Sequence, residues 1–302
     1  LWWIAITLYD ARGERDEHRG RNCRGEPAPA TSAGDHAHER VSFAECTSVS
    51  QADADDMVNH PSTGRVHRGC RSGGDAATVD AVTKLRVHSL AVSLDGFATG
   101  EGQAFDAPFG HAGSRLMSWF FPTRTFVSMT GHDAEAIGQG TTGVDDAFAA
   151  AGWAGIGAEI MGRRKFGPQQ GPWQDDDWQG WWGDEPPFHT PVVVLTHHAR
   201  PDLTLGETTF LFRDASPQAA LELASELAGG LDVRLGGGPT VVREVLAADL
   251  VDHLHIVVVP VVLGRGVRLW DGLEGLEERF SIETVASLSG VLHQPFTRRG
   301  LP

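Results

Sequence analysis

The strongest constraint on this chain begins at Leu85. From there to Thr297, apolar runs of strand length, bounded by Gly, Pro or Asp, alternate with stretches of helical composition. That alternation is the habit of an α/β domain, in which buried strands read as continuous aliphatic runs and parallel neighbours are joined by helical crossovers. The expected strands cover 85–94, 156–161, 191–196, 209–212, 232–235, 253–263, 282–288 and 291–297. Ser216-Pro217 ahead of AALELASELA gives a helix its N-cap and first residue, and Gly229-Gly230 stop it. A second helix opens at Pro239 after three glycines, and a third covers 144–151. The last strands are joined by links too short for helices, so they should be antiparallel. The expected architecture is three-layer αβα around a mixed, mostly parallel sheet.

Residues 1–84 have another character. They are rich in Arg, His, Asp, Gly and Ser, and after Leu8 hold no apolar run longer than two. Such a segment cannot bury enough surface to offset its ordering entropy. It is expected to be a disordered extension, or to reflect a translation start assigned too far upstream, since the first residue is Leu. The folded domain is expected over 85–302.

A formal charge of −15 argues against nonspecific nucleic-acid binding, which needs a basic face to displace counterions. No run approaches the length that spans a bilayer, and the apolar start has no basic flank or cleavage site. The three cysteines, Cys23, Cys46 and Cys70, are odd in number and lack metal-ligand spacing. Together these features lead to an expectation of a cytoplasmic protein without membrane or nucleic-acid partners.

Three segments carry candidate chemistry. In DVRLGGGPTVVREVL (232–246) a short strand meets Gly236, Gly237 and Gly238, then Pro239 and Thr240 at a helix start. Glycines there let a backbone approach a ligand, and the free N–H groups suit a pyrophosphate. The sixth position is Val241, so this is not the dinucleotide fingerprint, and a ligand-free tight turn would use the same glycines. In EIMGRRKFGP (159–168) a strand runs through Gly162 into Arg163, Arg164 and Lys165. Cations at a strand's carboxyl end are where open α/β sheets take anionic ligands, although an exposed basic turn reads the same way. PVVVLTHHAR (191–200) ends in Thr196, His197, His198 and Arg200, groups suited to a ribose phosphate.

In this order, with VSLDGFATG (92–100) on the first strand and PVVLGRGVRLW (260–270) near the end, the segments resemble the dihydrofolate reductase-like family. The likeness is to the branch that includes the reductase domain of the bifunctional riboflavin-biosynthesis protein, and it covers nearly all of 85–300. The resemblance implies a homodimeric, NADPH-dependent reductase acting on a small heterocyclic substrate; a pterin or folate and a ribosylaminopyrimidine phosphate are both compatible, and so is an unrelated carbonyl or imine compound. It implies that Gly162, Arg163, Arg164, Thr196, His197 and Arg200 surround the adenosine 2′-phosphate and ribose, and that the turn from Gly236 to Thr240 faces the pyrophosphate. The nicotinamide would lie against Ala91 and Asp95, with 96–113 as a gating loop. Arg265 and Arg268 are spare cations for a substrate phosphate.

In dihydrofolate reductases a helix carboxylate lies fifteen residues before the Met of the MetGlyArg turn. Counting back from Met161 reaches Asp146, beside Asp145, as a candidate catalytic acid. The same pair would serve as an ordinary acidic helix start. Trp173, Trp178, Trp181 and Trp182 are expected in packing or an interface, with a ring-stacking pocket as the alternative. His253, His255, His197 and His198 lack a ligand set, so no metal is expected. The competing reading from another class is a nucleotide- or ligand-binding protein on this scaffold without turnover.

Overall fold

The computed structural model describes residues 83–130, 138–174 and 177–301. The expectations for 1–84 lie outside the described residues, Thr83 and Lys84 excepted. Along the chain come β1 (Leu85–Ser93), β2 (Phe97–Thr99), α1 (Arg124–Thr130), α2 (Val144–Ala151), β3 (Ile156–Gly162) and α3 (Arg163–Phe166). There follow β4 (Pro191–Leu195), β5 (Leu203–Leu205), β6 (Thr208–Arg213), α4 (Pro217–Leu227), β7 (Asp232–Leu235) and α5 (Pro239–Ala247). The chain then forms β8 (His253–Val259), β9 (Val267–Arg268), β10 (Phe280–Ile282), β11 (Val285–Ala286) and β12 (Leu292–Arg298).

The main sheet has the order β10-β12-β8-β1-β7-β3-β4-β6-β5. The six strands from β8 to β6 are parallel, while β12, β10 and β11 at one edge and β5 at the other are antiparallel. This is the mixed, mostly parallel α/β architecture expected, with antiparallel C-terminal strands. Where boundaries differ, local causes are visible. β8 stops at Val259 because Pro260 has no N–H to continue the ladder, and the chain tightens through Val261 N–H to Val259 O at 2.7 Å. The expected strand at 282–288 divides into β10 and β11, both paired to β12. Strands β2, β5 and β9 have three residues or fewer, too few to show a period, and α1 is a seven-residue helix rich in Thr, Ser and Val.

Because side chains alternate across a strand, each strand feeds two cores. One face carries Val87, Ile160, Val193, Val233, Leu235, Leu254 and Ile256 and is closed by α4 and α5 through Ala220, Ala224, Val242, Val245 and Leu246. Helix α4 is capped as its sequence requires, Ser216 Oγ accepting from Ala219 N at 3.3 Å. The opposite face has two separate aromatic clusters. One gathers Trp119, Phe120, Phe126 and Ala149 over β1 and β8. The other gathers Phe166, Trp181, Trp182 and Phe188 over β3, β4 and β6. Between them the sheet presents polar side chains, and there the candidate site lies.

Candidate active site

On this second face a row of polar residues crosses five neighbouring strands: His293 on β12, His255 on β8, His88 on β1, Arg234 on β7 and Glu159 on β3. Polar groups buried in a sheet must find partners or lose hydration without return. Glu159, 1% exposed, finds two cations. Arg234 donates to it from Nε at 2.8 Å and also from Nη2, and Lys165 Nζ, from α3, lies 2.8 Å from its other oxygen. Burial alone would raise the Glu159 carboxyl, but Arg234 and Lys165 outweigh it and hold it below its ordinary value. Burial pushes the Lys165 ammonium down, with Glu159 opposing. Arg234 is fixed further by stacking, its guanidinium carbon 3.4 Å from the centroid of Trp153. One carboxylate against two cations leaves this centre with a net positive charge.

A cavity of about 150 Å³ opens over the centre, walled by Phe120, Phe126, Trp153, Trp182 and Phe188, with Lys165, Arg234, His88 and Gly236 supplying its polar lining. That is room for one six-membered ring. Gly236 is required here: a Cβ would overlap Glu159 Oε1 and Lys165 Nζ. His88 accepts at Nε2 from Arg86 Nε and Nη2 (3.2 and 3.1 Å), so its proton sits on Nδ1. That buried nitrogen has no hydrogen-bond partner among the described residues. Burial, followed by Arg86, Arg234 and His253, holds His88 down to about 3, so it is neutral near pH 7.

The sequence-expected cofactor residues gather at the carboxyl ends of β1, β3, β4 and β7. Gly237 and Gly238 have φ of +116° and +93°, a region costly for other residues, and Gly238 is the N-cap of α5, whose first turn has no side-chain cap. Gly162 N lies 3.4 Å from Gly237 O, and Val241 fills the space a Cβ on Gly162 would need. Pro239 and Thr240 open α5. The Arg163 guanidinium carbon lies over Trp173, 3.8 Å from its centroid, and that of Arg200 approaches the same ring at 5.0 Å. Arg163 Nη1 donates to Gly171 O, while its Nε and Nη2, and both amide atoms of Gln169, are buried without partners among the described residues. Thr196 is buried; His197 is exposed and pairs with Asp214 at 2.8 Å, and Arg164 is exposed.

Other expected residues have definite structural partners. Ala91 is buried under the first aromatic cluster. Asp95 accepts from Ser93 Oγ at 2.6 Å, Leu263 N at 3.0 Å and Gly264 N at 2.6 Å, which pins the 262–266 turn and lowers its carboxyl to about 2. Asp146 caps α1, accepting from Thr125 N and Oγ1, both at 2.7 Å. Asp145 accepts from His293 Nε2 at 2.7 Å. In 96–113, β2 pairs with β9, and Gln103 donates to Pro108 O and Arg164 O, both at 3.0 Å. Trp181 and Trp182 are buried in the second cluster, and Trp182 also walls the cavity. His88, Glu159, Arg234 and His293 were not singled out from sequence. The readable signal was a charge inside an otherwise apolar buried strand, as in AEIMG and VRLG.

Residues 86–291 match the family model described as RibD C-terminal domain. Among solved structures, a putative riboflavin biosynthesis protein from Shewanella sp. PV-4 is 19% identical, with 72% of this chain and 99% of that chain covered and a TM-score of 0.40. A dihydrofolate reductase from Enterococcus faecalis, complexed with NADP(H) and RAB-propyl, is 14% identical over 72% and 96% of the two chains, with a TM-score of 0.40. A diaminohydroxyphosphoribosylaminopyrimidine deaminase/5-amino-6-(5-phosphoribosylamino)uracil reductase from Thermotoga maritima is 12% identical over 72% and 56%, with a TM-score of 0.41. No curated protein matches the chain. No helix among the described residues is long and apolar enough to cross a membrane, and no group of three or more His, Cys, Asp or Glu there could hold a metal ion.

Proposed function

Because the chain belongs to the RibD C-terminal domain family, we propose that it is an NADPH-dependent reductase which transfers a hydride to a C=N or C=O bond of a small heterocycle. The observation that carries this reading is contiguity: Gly236 is at once a wall of the ring-sized cavity and the first residue of the glycine turn that opens α5. The residues fit the cofactor. The turn from Gly236 to Thr240 would hold the pyrophosphate, and Arg163, with its unpartnered buried nitrogens, would hold the 2′-phosphate with Thr196, Arg200 and the backbone at Gly162. When bound, NADPH supplies the hydride.

The chain's own part is orientation and electrostatics. The aromatic walls exclude water and hold a planar ring. Lys165 Nζ and Arg234 supply positive charge where an oxygen or nitrogen of the substrate gains electron density, and Lys165 Nζ, its proton loosened by burial, is placed to give that atom a hydrogen bond or a proton. No carboxylate lines the cavity among the described residues, because Glu159 is committed to its two cations and Asp146 to Thr125. The pocket therefore suits an acceptor-rich, carbonyl-type edge, as in a ribosylaminouracil phosphate, better than the amidine-like edge of a pterin. A cytoplasmic homodimer is part of the same proposal, and exposed Ile282, Leu288 and Leu292 along the β10–β12 edge support the dimer.

The test is a titration of the full chain with NADPH and NADH, followed by tryptophan fluorescence. Tighter binding of NADPH, weakened in Arg163→Ala, is expected. Binding of neither nucleotide would overturn the assignment, and tight NADPH binding without turnover of any candidate substrate would favour a binding protein.

A further inference from the structure

The imidazoles on the second face form a chain with only one workable arrangement of protons. Ser89 N–H can only donate, and it lies 3.2 Å from His255 Nδ1, so that nitrogen is the acceptor and His255 carries its proton on Nε2. His255 Nε2 lies 3.0 Å from His293 Nδ1, which must accept in turn, leaving the His293 proton on Nε2. His293 Nε2 lies 2.7 Å from Asp145 Oδ1, so the chain ends on a carboxylate. Phe148, one turn along α2 from Asp145, stacks on both rings at interplanar angles of 19° and 10°, and Trp119 meets His293 edge-on.

At its other end the chain grips an irregularity. The pairing of β1 with β8 shifts register between Val87 and Leu90, and Ser89 sits there at φ +58°, a conformation a non-glycine residue adopts at some cost. At this bulge the Ser89 N–H is taken up by His255 Nδ1 rather than by the ladder. The bulge decides which residues of β1 face the cavity: His88 and Ser89 line it, whereas Leu90 turns to the opposite core.

We infer that Asp145, His293 and His255 are positioning residues whose hydrogen-bonded chain latches the β1 bulge and so holds His88, with its spare Nδ1–H, in the cavity wall where a substrate acceptor would meet it. This rests on the cavity being the substrate pocket, as proposed above. Asp145 then acts through two imidazoles rather than on the substrate, and its hydrogen-bond acceptor matters more than its charge. Asp145→Asn keeps an acceptor oxygen; Asp145→Ala leaves the buried His293 Nε2–H without a partner.

The chain is tested directly by 15N NMR of the full chain with labelled histidine, since protonated and unprotonated ring nitrogens resonate far apart. The expected result is His255 and His293 as Nε2–H tautomers and His88 as Nδ1–H near neutral pH. Finding His255 or His293 charged or as the Nδ1–H tautomer would overturn the assignment. The functional arm uses 5-amino-6-(5-phosphoribosylamino)uracil as probe. KM should rise about tenfold in Asp145→Ala with a smaller change in kcat, and stay within about threefold of wild type in Asp145→Asn, since only the alanine leaves the His293 donor unpaired and frees the chain that holds His88 in place. Loss of kcat in both variants alike would make Asp145 a catalytic acid and end the positioning role. Absence of turnover in the wild-type protein would count against the reductase reading, while the tautomers would still decide the chain.

Discussion

Glu159→Gln isolates the charge at the centre of the site, because the amide keeps the shape of the carboxylate and removes its charge. The side chains of Glu159 and Arg234 are 2% and 7% exposed, and that of Lys165 is 18% exposed. The variant leaves two cations facing each other across a neutral amide. Arg234 cannot escape to solvent, being clamped between Glu159, Gly152 O and the Trp153 ring. Breaking a buried ion pair from one side costs about 3–5 kcal/mol, because the remaining charge stays desolvated. In a domain of this size each kcal/mol lowers the melting temperature by about 2–4 °C, so a drop of about 10 °C is expected. Chemical denaturation with matched m-values is the assay. Glu159→Leu combined with Arg234→Met and Lys165→Met removes all three charges and should recover at least half of the loss. The reasoning fails if Glu159→Gln costs less than about 1 kcal/mol, an exposed pair's worth. The pH dependence has a fixed sign. The folded carboxyl is held below its ordinary value of 4.5, so its contribution is complete above that pH and is lost as pH falls through the lower folded value.

Further outcomes follow from the same geometry. Gly236→Ala should displace Lys165 and Glu159 and destabilise the domain by about 1–3 kcal/mol, measured by urea unfolding. Arg163→Ala should weaken NADPH by about tenfold while changing NADH little, since the lost contact is to the phosphate that distinguishes them. Asp95 titrates near 2 when folded, against an ordinary 3.8. Its hold on Leu263 and Gly264 is therefore present above that ordinary value and lost as pH falls toward 2, so acid unfolding of Asp95→Asn should be flatter than wild type over that range. Light scattering at micromolar concentration should give a dimer mass; a monomer mass would remove the homodimer from the account.

The parallel strands and the helices after Ser216 and Gly238 were legible because their signals are local: apolar runs, caps and glycine stops. The strand 232–235 was read to the residue. The short strands β2, β5 and β9 were not, since their existence depends on partners far away in sequence. The glycine turn and the Arg163 segment were legible as candidates, and the fold brings them to neighbouring strand ends. The polar row was not, because it is assembled from five strands whose order differs from their order along the chain. Glu159 and Arg234 are 75 residues apart, and only the β3–β7 pairing makes them neighbours. Asp145 and Asp146 were candidates only through the family resemblance, which could not say that one would cap α1 and the other would hold His293.

The most direct measurement of the central claim is NADPH consumption by the full chain with 5-amino-6-(5-phosphoribosylamino)uracil, dihydrofolate and simple carbonyl compounds, with Lys165→Met alongside. The account predicts oxidation of NADPH matched by reduced product, fastest with the carbonyl-edged uracil, and lost in Lys165→Met while NADPH binding persists. Tight NADPH binding without oxidation across the whole panel, or full activity in Lys165→Met, would contradict it.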